Sequence, residues 1–123
     1  MSALGYLVAA LSMRRDANQE PFTVLSCDNL QGNGELTRKL CIEYASVFDE
    51  GLANWIEEEV CFPNSMVDRI TPATTKGLLE ELERDFGIID GWPIVAEDFT
   101  QWVVEEKFSA GRPKWENVGA LFT

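Results

Sequence analysis

Phe22-Thr23-Val24-Leu25 runs straight into Ser26-Cys27-Asp28-Asn29-Leu30-Gln31-Gly32-Asn33-Gly34, and a helical pattern starts immediately afterwards. A continuous apolar run is the signature of a strand covered on both faces, so residues 22–27 read as a buried strand. The polar stretch is then a strand-to-helix loop. In open α/β sheets that loop lies at the carboxyl end of the strand, where ligands bind. Amides, an acid and two glycines are more than a turn requires. A second polar stretch, Phe62-Pro63-Asn64-Ser65-Met66-Val67-Asp68-Arg69-Ile70-Thr71-Pro72, is equally unlike core, and its prolines forbid a long regular element.

Upstream, residues 2–18 read as a helix: Leu4, Leu7, Val8 and Leu11 recur at helical spacing, and Arg14 and Arg15 suit the negative end of its dipole. A helix leading into a buried strand is half of a crossover unit whose first strand is missing, so the chain reads as starting inside a larger α/β domain. Downstream, Leu36, Leu40, Cys41, Tyr44 and Phe48 mark a second amphipathic helix. Leu52, Trp55, Ile56 and Val60 mark a third, with Glu57, Glu58 and Glu59 on its solvated face. Thr71-Pro72 is suited to opening a fourth, with Leu78, Leu79, Leu82 and Phe86 as its stripe and Gly87 as its end. Short strands are expected at 93–96, 101–104 and 119–122, with Gly111-Arg112-Pro113 as a turn.

The 123 residues suffice for one modest core, and 46% hydrophobic with 25% charged residues describes an ordinary soluble protein. A net charge of -11 repels phosphate, which argues against nucleic acid and anionic membrane as partners. There is no histidine, so the commonest general base and the commonest metal ligand are both missing. Cys27, Cys41 and Cys61 lack C-x-x-C spacing, which makes a structural metal a poor fit. They read as reduced thiols packed as small apolar groups in a cytoplasmic protein. No apolar run reaches membrane-spanning length, and the N-terminus lacks a signal-peptide layout.

Gly32-Asn33-Gly34 resembles the start of a dinucleotide fingerprint, but Thr37 replaces its third glycine. The plainer reading, a tight turn needing a positive φ, is preferred. Asn29 has two readings. It caps the following helix or forms an Asx turn, or it aims its amide at an oxygen that gains charge in a reaction. Spacing alone favours the cap. Asp68, next to Arg69, is either half of a surface ion pair or an acceptor for substrate hydroxyls.

The blocks 26–34 and 62–72 resemble those of the mannitol dehydrogenase family, the long-chain, metal-independent polyol and hexuronate dehydrogenases. Gln101-Trp102-Val103-Val104-Glu105-Glu106 and Gly111-Arg112-Pro113-x-Trp115-Glu116 resemble the same family in the same order. The likeness extends from Leu4 to Phe122.

The resemblance implies a Rossmann-like α/β fragment, mostly parallel sheet flanked by helices, with short strands toward the C-terminus. Residues 1–123 would be part of an N-terminal, cofactor-side domain, without the catalytic C-terminal domain. It also implies NAD- or NADP-dependent interconversion of a polyol such as mannitol and its ketose. Asn29 matches the family's first-domain asparagine, half of an oxyanion hole, so it is the implied catalytic residue. Asp68 and Val67 match positions lining the substrate, with Val67 also at the nicotinamide. The family's base is a lysine in K-x-x-x-x-N-x-x-H, which a chain without histidine lacks, and the upstream glycine-rich loop is missing too. The implied partners are therefore a polyol or sugar-acid substrate and the remainder of the dehydrogenase polypeptide. Asn64-Ser65 is more similar to mannitol-type than to hexuronate-type members. Fructuronate or tagaturonate reductase is the neighbouring alternative, and a truncated binding module that catalyses nothing is the other.

Overall fold

The Ser2 hydroxyl accepts from the Gly5 amide and starts α1 (Ala3–Asp16), which ends with Arg14 and Arg15 in its last turn. The computed structural model describes residues 2–66, 69 and 71–123. After α1 come α2 (Asn33–Ser46) and α3 (Glu50–Glu59). Asp49 caps α3 by accepting from the Leu52 amide, and Arg15 reaches the same carboxylate at 2.7 Å, tying the end of α1 to the start of α3. Val8 and Leu11, Cys41 and Ala45, and Leu52 and Ile56 pack between the three helices, with Val24 and Phe62 completing the core. Glu57, Glu58 and Glu59 are exposed, as expected.

Helix α2 departs from its expected orientation. Leu36, Leu40 and Tyr44 are more than one-third exposed and Phe48 is 75% exposed, whereas Cys41 and Ala45 are fully buried. Gly34 explains the rotation. A Cβ there would lie 2.5 Å from the Pro63 carbonyl oxygen and 2.6 Å from that of Phe62. Gly34, Cys41 and Ala45 share one helix face, so docking Gly34 on this backbone sets the small-residue face inward. The bulky residues at the other azimuth are left outside.

The sheet is small and mixed. β1 (Ser65–Met66) pairs antiparallel with β2 (Trp102–Val104), and β2 pairs parallel with β3 (Ala120–Phe122). This is α/β architecture, with its parallel character confined to the second pairing. The expected strand at 22–27 is extended but forms no ladder among the described residues. Its one backbone bond to another segment there runs from the Val24 amide to the Cys61 carbonyl. Phe22, Thr23 and Leu25 are only half-buried and Cys27 is exposed. The three helices cover one side, and no second strand of the described residues takes the remaining backbone groups. Side chains serve the Ser26 carbonyl, which accepts from the Ser65 hydroxyl and Asn33 Nδ2, and the Thr23 hydroxyl accepts from the Ser109 amide at 2.9 Å.

Residues 1–67 with 102–123 form one compact unit and residues 68–101 another. In the second unit, α4 (Lys76–Phe86) starts at a Thr75 cap instead of Thr71-Pro72 and ends at Gly87, whose φ is 66°. Leu78, Leu79 and Leu82 are half-buried and Phe86 is exposed. The expected strand at 93–96 does not form. The Pro93 carbonyl accepts from the Thr74 hydroxyl, and Ile94 is exposed.

In the first unit, Phe108 meets Trp115 and Phe122 edge to face, Trp102 lies tilted on Trp115, and the Arg112 guanidinium lies 3.4 Å from the centre of the Phe122 ring. That guanidinium grips Glu106 bidentately at 2.9 and 2.8 Å and also bonds Glu116. Of the three thiols, Cys41 packs as expected, and burial pushes its pKa up to about 11. Cys61 is half-buried, and Cys27 is exposed against expectation. Among the described residues, no helix is long and apolar enough to cross a membrane.

Gly34→Ala tests the close approach. A methyl forced against two fixed carbonyls should destabilise the chain by about 1–3 kcal/mol, and an unchanged urea midpoint would refute the contact. The acid limb tests the ion pairs. The Arg15 bond holds Asp49 below the usual carboxylate range, and the Arg112 bond does so for Glu106. Glu116 is lowered by its own backbone amide and then by Arg112. Because the folded pKa values are depressed, this stability is complete above the ordinary carboxylate range and is lost as pH falls through the folded values. Melting temperature should therefore drop between about pH 5 and pH 3, and less steeply in Arg112→Met, because two of the three carboxylates have lost their cation. Parallel acid limbs for the two proteins would count against the clamp.

Candidate functional site

Helix α2 begins at Gly32, whose φ of 67° is the positive value expected of the turn, and no side chain of its own caps it. The cap comes from Asn64, whose Oδ1 accepts from the Gly34 amide at 2.9 Å and the Glu35 amide at 3.4 Å. Two donors that a pyrophosphate would need are thus engaged, and the turn reading of Gly32-Asn33-Gly34 stands. Glu105, one residue past β2, takes the rest of Asn64. Its Oε2 accepts from the Asn64 backbone amide at 2.8 Å and its Oε1 from Nδ2 at 3.0 Å. These bonds, the backbone one first, hold the Glu105 carboxyl below its usual range.

Asn33 clasps the two polar stretches together. It is 2% exposed, and its Nδ2 donates to the Asp28 carbonyl at 2.9 Å and the Ser65 carbonyl at 2.8 Å. Its Oδ1 accepts from the Ser65 amide at 3.0 Å. The Ser65 hydroxyl completes the seam by donating to the Ser26 carbonyl. Sequence reasoning missed Asn33 as it missed Glu105. Their partners lie 32 and 41 positions away, where no local pattern reaches. The one local hint is Asn33's place between two glycines.

These bonds shape an open cavity of about 460 Å³ lined by Asn29, Gln31, Ser65, Met66, Val103 and Glu105 among others. Asn29 is exposed on its rim. Its side chain makes no hydrogen bond to a described residue and does not cap α2, because Asn64 does. Neither Lys nor Arg is among the lining residues. Amides, the hydroxyls of Ser65 and Thr123 and the carboxylates of Asp28 and Glu105 beside apolar Met66 and Val103 suit a neutral ligand with several hydroxyls more than an anion. Among the described residues no three of Cys, Asp and Glu converge to hold a metal ion. Val67 and Asp68, singled out by the sequence, lie outside the described residues.

The architecture and its motifs have close counterparts. The family model of the mannitol dehydrogenase Rossmann domain matches residues 1–117. Mannitol 2-dehydrogenase of Cereibacter sphaeroides is 53% identical over 123 residues, which are 99% of this chain and 25% of that protein. The crystal structure of a D-sorbitol dehydrogenase in substrate-free form superposes with a TM-score of 0.81 at 48% identity, over 99% of this chain and 25% of that one. Pseudomonas fluorescens mannitol 2-dehydrogenase, solved as a ternary complex with NAD and D-mannitol, gives 0.77 at 49% identity over the same shares. The chain spans about a quarter of the length of these relatives. With a family model over nearly all of it and half its residues identical to such relatives, this chain belongs to the mannitol dehydrogenase family, as a stretch of its Rossmann domain.

Proposed function

We propose that this chain forms one wall of the substrate site of an NAD(P)-dependent, metal-independent dehydrogenase that interconverts a polyol such as mannitol and its ketose. The observation that carries the proposal is the Asn29 amide, unengaged among the described residues and standing at the cavity. An amide N–H donated to the carbinol oxygen stabilises the alkoxide that develops as the carbon gives up hydride. The bound nicotinamide supplies the hydride acceptor. The proton goes to a lysine elsewhere in the dehydrogenase polypeptide, since this chain lacks the lysine–histidine motif. Asp68 accepts from a neighbouring hydroxyl and Val67 packs at the nicotinamide end. The pyrophosphate does not fit the start of α2, whose first donors Asn64 occupies. Glu105 in the wall favours a neutral polyol over a hexuronate, whose carboxylate would be repelled there.

A chimera supplies what the chain lacks: this sequence replacing its counterpart in the Cereibacter sphaeroides mannitol 2-dehydrogenase. The chimera should oxidise mannitol, while the isolated chain should not, proton abstraction by a positioned base being worth about 10²–10⁴-fold. In the chimera, Asn29→Ala should lower kcat and kcat/KM together by about 10²–10³, with cofactor KM unchanged. Asp68→Ala should raise the KM for polyol more than it lowers kcat, because its bonds already exist in the ground state. An Asn29 variant with a lowered melting temperature and unchanged kcat would leave Asn29 a structural residue. Mannitol oxidation by the isolated chain would mean that the base lies within it.

A further inference from the structure

We infer that Glu105 is a positioning residue for the polyol site, acting through Asn64 on the first turn of α2 and on the loop that carries Asn29. The inference rests on the polyol-site reading and extends it to a residue outside the reacting groups. A side-chain amide can point either way. Here its direction is dictated: both Glu105 oxygens can only accept, so Nδ2 of Asn64 must face the carboxylate, at 3.0 Å. Oδ1 is thereby turned to the Gly34 amide at 2.9 Å. Next along the chain, Ser65 donates its amide to Asn33 Oδ1 at 3.0 Å, and Asn33 Nδ2 holds the Asp28 carbonyl at 2.9 Å, one residue from Asn29. Glu105 therefore stands at one end of a relay of hydrogen bonds, joined through the peptide link between Asn64 and Ser65, that ends beside the proposed alkoxide donor.

The relay makes an unusual demand on substitution. In Glu105→Gln, one oxygen still serves the Asn64 backbone amide, but the new NH₂ faces Nδ2. If Asn64 flips to avoid that, its own NH₂ meets the Gly34 amide. Either arrangement sets donor against donor. Asn64→Asp alone sets two carboxylates side by side. The double exchange satisfies every position. The new side-chain amide accepts from the backbone N–H of position 64 and donates to the new carboxylate, whose other oxygen still accepts from Gly34. Moving the charge across the contact should restore what each single change destroys.

The test uses the dehydrogenase chimera. E105Q and N64D should each lower kcat roughly ten- to a hundredfold with little change in cofactor KM, as expected of a slightly misplaced donor. The E105Q/N64D double variant should recover most of that kcat. An unchanged kcat in E105Q, or a double variant no better than the singles, would overturn the inference. So would a lowered melting temperature at constant kcat, which a purely structural contact would give. Should E105Q fold poorly, recovery of both folding and kcat in the double variant carries the test, and failure of either counts against the relay. A folded but inactive chimera with Glu105 intact would instead overturn the polyol-site reading on which the inference stands.

Discussion

The close approach of the first turn of α2 to the backbone at Phe62 and Pro63 is the constraint on which the rest of the first unit depends. Only a glycine at position 34 allows it. Once the backbones touch, Asn64 reaches the helix amides, Asn33 reaches Ser65, and the small residues of α2 face α1 and α3. Packing and polar satisfaction thus share one point of contact. Removing either would expose the other: without the approach the buried Asn33 loses its bonds to Ser65, and without Asn33 and Asn64 the seam carries orphaned backbone groups.

Polar groups at this seam are consumed completely, which makes the few that are not consumed informative. Among the described residues every buried side-chain nitrogen and oxygen has a partner. Asn33, Asn64, Ser65 and Glu105 lock one another, whereas the exposed Asn29 side chain lines the cavity without a hydrogen bond to a described residue. On the proposed reading, a donor with no partner among the described residues need not be pulled from one as charge develops, which is what electrostatic preorganisation requires.

The sequence made the helices legible because their signals are local. Apolar spacing and a left-handed glycine mark the helices within a few residues, as Gly87 does for the end of α4, although its start lies at Thr75 and not at the expected Thr71-Pro72. Rotation of α2 about its axis was not legible. Leu36, Leu40 and Tyr44 look like a core stripe to any count of periodicity, and only the Gly34 contact with a segment 29 positions later turns them outward (63 − 34 = 29). The strands expected at 101–104 and 119–122 form, as β2 and β3, whereas the apolar run at 22–27 fixes only its extended shape, because a ladder needs a neighbour. At the cavity, spacing alone favoured a cap for Asn29, a place that Asn64 takes, while the loop was legible as polar residues beyond what a turn needs. The supporting asparagines and Glu105 were not, since hydrogen bonds across 30 to 41 positions leave no periodic trace.

Cys27 was expected to pack and instead lies exposed, two residues before Asn29. Cys41 is sealed in the helical core with its thiol pKa raised, and Cys61 is half-covered. A thiol-directed fluorophore or spin label, which needs access and a thiolate, would therefore discriminate among the three and settle first beside the cavity. The native chain thereby carries its own attachment point for a spectroscopic reporter, one residue from Asp28 in the cavity wall.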